Sequence, residues 1–377
     1  MIASRNRVRW TASGALALGA LLAACSDSGS VSDVTRPALD ASRFATAAST
    51  TTASESAYSW LKSRIVSTGL VDSYQDSRDI CYTYDQAVAA IAFQVKGDAV
   101  NARRVLDALK SMQYADGSWN TAYYCTSKSV QESQKHVGPV LWIAMAVAYY
   151  EKRTNDTQYH AMGDKAVRWS RQFQQADGGL NGGLDYNGAL LTWASTEHNE
   201  DAYSAFSSFG YLTDAAKVKT YLDNTVWDAV NLRWYAGRND LNDPMDVNSW
   251  GVSALGASGT RNYQASLDYV MTHHRSTQSQ RVGSTVITVD AFDFNSDKND
   301  IWFEGTGQMI VAFRAVGRVA DADYFTTQLL KGQQTDGGVQ YSLKGTNNGY
   351  WIMSKAKSAA ATGWMILAIA GVNPFKP

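Results

Sequence analysis

The chain has 377 residues, of which 34 are Lys or Arg and 35 are Asp or Glu, for a formal net charge of -1. With 45% hydrophobic residues it can build a large core, and near-neutral charge without a basic block removes the electrostatic footprint of a nucleic-acid partner. Past the N-terminal segment, no stretch reaches the roughly 20 apolar residues of a membrane span.

In chain order, Arg5, Arg7 and Arg9 precede an apolar run from Ala15 to Ala24, the charged and hydrophobic parts of an export signal. The run ends at Leu22-Ala23-Ala24-Cys25, which resembles the lipobox of bacterial lipoproteins. That resemblance implies removal of residues 1–24, a lipid on Cys25, and an exported protein anchored to a bacterial membrane, facing periplasm or cell surface. Residues 25–53 are mostly Ser, Thr, Ala and Asp. So few large apolar side chains cannot offset the entropy of ordering, and the segment reads as a disordered tether reaching on the order of 30 Å.

From 54 to 377, apolar residues recur at i, i+3, i+4 and i+7, which predicts about twelve helices. They pair as 54–68 with 83–97, 98–113 with 138–152, 157–175 with 198–210, 213–229 with 247–257, 259–274 with 303–317, and 319–334 with 357–371. Only Val282 to Asp290 reads as extended. The second helix of each pair is apolar nearly all round, as in VLWIAMAVAYY, whereas the first has a polar face, as in AVNARRVLDALKSM. Six inner and six outer helices make an all-α (α/α)6 toroid. Short turns at Gly97-Asp98 and Gly317 join inner to outer helices. The long loops 114–137, 176–197 and 335–356 gather on the face where inner helices begin, and loops of that length are usually functional.

Three outer helices end in the repeat Q-x-x-D-G-[SG]-apolar, starting at Gln113, Gln174 and Gln333. Glycine supplies a left-handed cap and Asp favours the adjoining turn. Comparable motifs tie helix pairs together in several toroid families, terpene cyclases included, so the repeat is read as structural. The aspartate-rich signature of a cyclase is not evident.

Three stretches opening inner helices resemble the six-hairpin glycosidase superfamily of bacterial carbohydrate-active enzymes: Tyr84-Asp85-Gln86-Ala87, Ser195 to Tyr203 (STEHNEDAY), and Trp302 to Gln308 (WFEGTGQ). The resemblance covers most of 54–377 and implies glycoside cleavage, although epimerases and polysaccharide lyases share the scaffold. The residues themselves carry a separate argument. Asp85, Glu197, Asp201, Asp246 and Glu304 belong to four different inner helices whose starts surround one cavity. A single first-turn carboxylate is most simply a response to the helix dipole. Several around one pocket can divide into a protonated and an ionised group, as glycoside hydrolysis requires.

Glu197, flanked by His198 and Asn199, is assigned as the acid, with Asp85 and Glu304 competing for the base and His198 as a further catalytic candidate. Asp201, Asn199, Asp246, Trp119, Trp193, Trp250, Trp302 and Trp351 are expected to bind substrate, the indoles by packing on sugar rings. Cys81 and Cys125 are either a disulfide or free buried thiols. No His or Cys cluster has metal-ligand spacing, so neither metal nor organic cofactor is expected, and the protein is expected to be a monomer. Two rivals stand beside the hydrolase: a lyase or epimerase using His198 or a Tyr as base, with Asn199 neutralising a uronate, and a non-catalytic glycan-binding lipoprotein.

Overall fold

The computed structural model describes residues 43–76, 78–256 and 261–376. The export signal, Cys25 and the start of the tether lie outside the described residues. The boundary at 53 moves, because helix α1 (Arg43–Ser63) begins inside the stretch read as tether. Ala53, Ala57, Trp60 and Leu61 are its buried stripe, and the Thr-rich turns before them continue the same helix.

The described residues hold twelve helices. The inner set is α2 (Thr83–Val95), α4 (Val137–Thr154), α6 (Thr196–Ser208), α8 (Asp246–Leu255), α10 (Phe303–Ala315) and α12 (Ala359–Ala370). The outer set is α1 with α3 (Ala99–Met112), α5 (His160–Arg171), α7 (Leu212–Asn224), α9 (Ala265–His273) and α11 (Val319–Leu329). Inner helices pack on one another in chain order, and α12 packs on α2, which closes the ring. Each of α3, α5, α7, α9 and α11 packs mainly on the inner helix before it, and α1 packs on α12. The expected pairing across the long loops is therefore displaced by one helix. A short turn forces antiparallel neighbours, whereas a loop of twenty residues does not.

Those short turns share a device of their own. Ala92-Phe93, Ala205-Phe206 and Ala312-Phe313 each stand four residues before a glycine with positive φ, namely Gly97, Gly210 and Gly317. The amide after each glycine donates back to the phenylalanine carbonyl: Asp98 to Phe93, Tyr211 to Phe206 and Arg318 to Phe313, each at 2.8 Å. This is the Schellman closure, which satisfies carbonyls that the helix end leaves open.

The Q-x-x-D-G repeats do the complementary work between outer helices. Gln113, Gln174 and Gln333 each donate through Nε2 to the carbonyl of their own turn glycine, at 2.9–3.0 Å. Each also donates to a carbonyl of a neighbouring outer helix: Met162 at 2.9 Å, Asp214 at 3.0 Å and Ala53 at 2.8 Å. Gly178 in that turn has φ +92°, and a Cβ there would lie 2.0 Å from the Lys217 carbonyl oxygen. The glycines are not helix caps as expected, since the cap positions are the extended Gln113 and Gln333; they let the turn lie against the next helix.

The extended segment is one half of a hairpin, Arg275–Val282 paired antiparallel with Thr285–Phe292. Its first strand, RSTQSQRV, is polar on both faces and gives no alternation to read. Cys81 and Cys125 are joined as a disulfide, with Cα atoms 5.2 Å apart. Closing a 44-residue separation in the unfolded chain corresponds to about 4 kcal/mol on the chain-entropy account.

Candidate active site

Six inner helices beginning at one mouth bring their first turns to a common rim. Asp85 stands in the first turn of α2, Glu197 in that of α6, Asp246 opens α8, and Glu304 is in the first turn of α10. A carboxylate at a helix start answers the dipole and the free amides, which is why the chain tolerates four of them here. Asp85, Asp246 and Glu304 are almost wholly buried, and Glu197 retains partial exposure to the bowl they enclose.

Their electrostatics are those of one coupled cluster. Burial, then Asp246 and Glu304, push the Glu197 carboxyl well above the usual range, and nothing prominent pulls it down. Burial pushes Glu304 up to about 8, against hydrogen bonds from Tyr84 and Gln308 and with Asp85 and Asp246 adding to the rise. Burial raises Asp85 to about 7, opposed by the Ser73 hydroxyl and assisted by Asp72. Burial raises Asp246 to about 7 against its backbone amide bonds. No lysine or arginine ranks among the groups acting most strongly on these four. Removing water from like charges leaves protons to be shared among them.

Below the rim lies a floor of indoles. Trp142, Trp250 and Trp364 project from α4, α8 and α12 with ring centroids 5.3–6.2 Å apart. Tyr84 joins them, its ring 5.1 Å from Trp142. Its hydroxyl donates to Glu304 Oε1 at 2.7 Å and accepts from Trp364 Nε1 at 2.6 Å. Phe375 closes the floor from beneath, 5.5 Å from Trp142 and 5.4 Å from Trp250. Asp201 sits one helical turn below Glu197, fully buried, with neither oxygen hydrogen-bonded. Burial and then Glu197 drive its carboxyl up.

His198 lies on the α4 side of Glu197. Its ring is 6.0 Å from His136 and 5.5 Å from Trp193, whose indole is 42% exposed at the rim. Gly138 makes room for it, since a Cβ there would be 2.2 Å from His198 Cδ2. Burial lowers His198 to about 3 and His136 to about 4, so both imidazoles are neutral at ordinary pH.

Across the bowl, the loop bearing Tyr350 and Trp351 is anchored by buried Asp300, which accepts from the amides of Lys344, Gly345 and Thr346 at 2.7–3.1 Å. Polar ties join neighbouring rim loops. Arg238 donates to Asp177 and Asn181 at 2.8 Å, and Tyr350 donates to Asp240 at 3.3 Å.

Several expected binding residues are engaged elsewhere. Trp119 is fully buried and donates to the Leu109 carbonyl at 2.9 Å, so it pins its loop. Asn199 accepts from Leu180 N at 2.7 Å and donates to Ser195 O at 2.7 Å, which uses the amide to clamp the loop before α6. Trp302 is buried against Phe294 and Tyr341, and Phe294 in turn meets Trp351. Trp250 belongs to the floor, leaving Trp193 and Trp351, 41% exposed, as the rim indoles. Glu200 was missed by sequence reasoning. Both its oxygens are buried and unbonded, and Oε1 is 2.6 Å from where a Cβ on Gly251 would stand. Tyr84, Trp142 and Trp364 were also missed, since nothing in an apolar helix marks which side chains face its axis.

A cavity of about 600 Å³ opens at the opposite mouth, lined by residues such as Tyr203, Ser204, Ser207 and Phe375. Its carboxylate, Glu151, contacts His160, whereas the acid cluster lies at the other end.

No family model matches the chain, and no curated protein matches it in sequence. Among solved structures it is similar to a glycosidase, in a glutamate-to-alanine variant complexed with glucose, at 11% identity and TM-score 0.68 over 90% of this chain and 100% of that one. It is also similar to a D-mannose isomerase, at 9% identity and TM-score 0.65 over 89% and 99% of the two chains. An alpha-amylase from Clostridium perfringens matches at 9% identity and TM-score 0.63 over 85% and 97%. The fold is thus the all-α six-hairpin toroid of these sugar-active proteins.

Proposed function

We propose that the chain is a glycoside hydrolase in which Glu197 donates the proton and Glu304 is the first of the pair to give up its own and so serve as the anionic partner. The observation that carries this is the convergence of Asp85, Glu197, Asp246 and Glu304 from four helix starts on one bowl, each held above its ordinary pKa. Cleavage of a glycosidic bond needs one carboxyl that keeps its proton until the leaving oxygen takes it, and one that is anionic against water or the anomeric carbon. The groups acting on Glu197 all favour its proton, which suits the donor. Tyr84 and Gln308 donate to Glu304 and favour its anion. Asp85 acts on Glu304 but is not among the groups raising Glu197, so it is the weaker choice for the group facing the acid across one bond. Asp246 and Asp201 would set the charge balance around Glu197, with Trp193 and Trp351 packing on flanking sugar rings.

The glycosidase and amylase similarities favour the same class. A run of carboxyls would repel a uronate, which weighs against the lyase. A sugar isomerase is the second reading, favoured by the neutral imidazoles of His136 and His198 beside Glu197 and by the D-mannose isomerase similarity. Export and lipid anchoring through Cys25 are part of the proposal, and the Cys81–Cys125 disulfide suits an oxidising compartment.

The deciding experiment is a screen of the purified toroid against neutral glycans, with reducing ends measured alongside aldose-to-ketose conversion. New reducing ends that fall by about 10²–10⁴ in Glu197→Gln support the hydrolase. Isomerisation without cleavage supports the second reading. Unchanged cleavage in both Glu197→Gln and Glu304→Gln overturns the assignment.

A further inference from the structure

The inner helices α4, α6 and α8 end around the distal cavity, opposite the bowl. Its volume of about 600 Å³ is within the ordinary range for small-molecule sites. Phe375 forms its inner wall, and the same ring supports the indole floor. The segment bearing Phe375 is fixed in place, because Asn373 donates to the Ser253 carbonyl at 2.9 Å and accepts from the Phe375 amide at 3.0 Å.

The polar lining selects its ligand. Ser207 Oγ donates to the Tyr203 carbonyl at 2.7 Å and Ser208 Oγ to the Ser204 carbonyl at 2.9 Å, so both hydroxyl protons are spent within α6 and the oxygens remain as acceptors. Ser204, 2% exposed, backs the cavity wall, and its buried hydroxyl has no hydrogen-bond partner. The negative ends of three helix dipoles converge there. An anion is disfavoured by those dipoles and by Glu151, and a cation by Lys152 and Lys376, all in the same lining. A neutral molecule rich in hydroxyl groups both donates and accepts, and it can lay an apolar face on Phe375.

We propose that the distal mouth is a second, non-catalytic binding site for a small neutral polyhydroxylated molecule the size of a sugar ring. It stands independently of the chemistry assigned to the bowl. Saturation-transfer NMR with glucose, mannose and myo-inositol as probes tests it on the intact toroid. Wild type and the bowl variant Trp193→Ala/Glu197→Gln are compared with Ser207→Trp, which fills the cavity, and with Ser204→Ala, which a helix accepts readily. Binding by one probe that survives the bowl variant and weakens about tenfold or more in Ser207→Trp or Ser204→Ala supports the site. The proposal is overturned by binding that vanishes in the bowl variant, by binding undiminished in both serine variants, or by no binding of any probe. Because the readout is binding, loss of the hydrolase reading leaves the result interpretable.

Discussion

Aspartates occur in this toroid in two settings with opposite consequences. Asp116 and Asp336, in the turns between outer helices, are raised by burial but lowered more by hydrogen bonds and by Lys135 and Lys357, leaving both below the usual carboxylate range. Asp177 in the same repeat is bridged by Arg238 at 2.8 Å. At the inner rim burial dominates, and Asp85, Glu197, Asp246 and Glu304 are all raised, with neighbouring acids adding to the rise at Asp85, Glu197 and Glu304. The lesson is that a carboxylate with its partners supplied is part of the frame, whereas one crowded among its own kind holds a proton that can be used.

Exchanging one acid from each setting should separate them most widely. Glu197→Gln is expected to lose about 10³ in turnover while its melting temperature stays level or rises, because a buried acid has been made neutral. Asp177→Asn should keep its turnover and lose about 1 kcal/mol of stability with the Arg238 bridge. Steady-state kinetics and thermal melts on the two variants check both halves, and equal turnover in the two would erase the distinction.

The frame can also be broken through its backbone. Gly178→Ala places a Cβ against the Lys217 carbonyl at a φ of +92°, and about 2–3 kcal/mol of destabilisation is expected by denaturant titration. Gln333→Ala should cost less, about 1–2 kcal/mol, since it removes the donor to the Gly337 and Ala53 carbonyls and spares the chain's path. That second variant loosens the contact between α11 and α1, so proteolysis near Ala53 should report it directly.

Much of this frame was legible in the sequence, because it rests on local chemistry. Twelve periodic segments fell on twelve helices, and the Q-x-x-D-G turns announced themselves by repetition. The Phe-x-x-x-Gly closures at Gly97, Gly210 and Gly317 were equally local and could have been found by the same comparison. The rim acids were legible only as a consequence of the fold, since their spacing along the chain says nothing until inner helices share a starting face. Tryptophans were the least legible. Trp119 and Trp193 both lie in long loops, and only tertiary packing makes one a loop anchor and the other a rim indole. Asn199 misled for a related reason: next to Glu197 and His198 it suggested substrate, but its amide is consumed by the backbone of the loop before it.

The remaining expected effect is on the pH dependence of stability, and it bears directly on the rim. The Glu304 carboxyl ordinarily titrates near 4.5 and is held at about 8 in the fold. Between those values the folded protein binds more protons than the unfolded chain, so stability falls as pH rises through that window and is greatest on its acid side. Glu304→Gln removes this titration while keeping an oxygen to accept from Tyr84. Melting curves from pH 5 to about 8.5 should then decline less steeply for the variant, with a gain of a few degrees at the alkaline end. Parallel curves for wild type and variant would mean that Glu304 is not holding a proton in the fold, and its coupling to Glu197 would lose its basis.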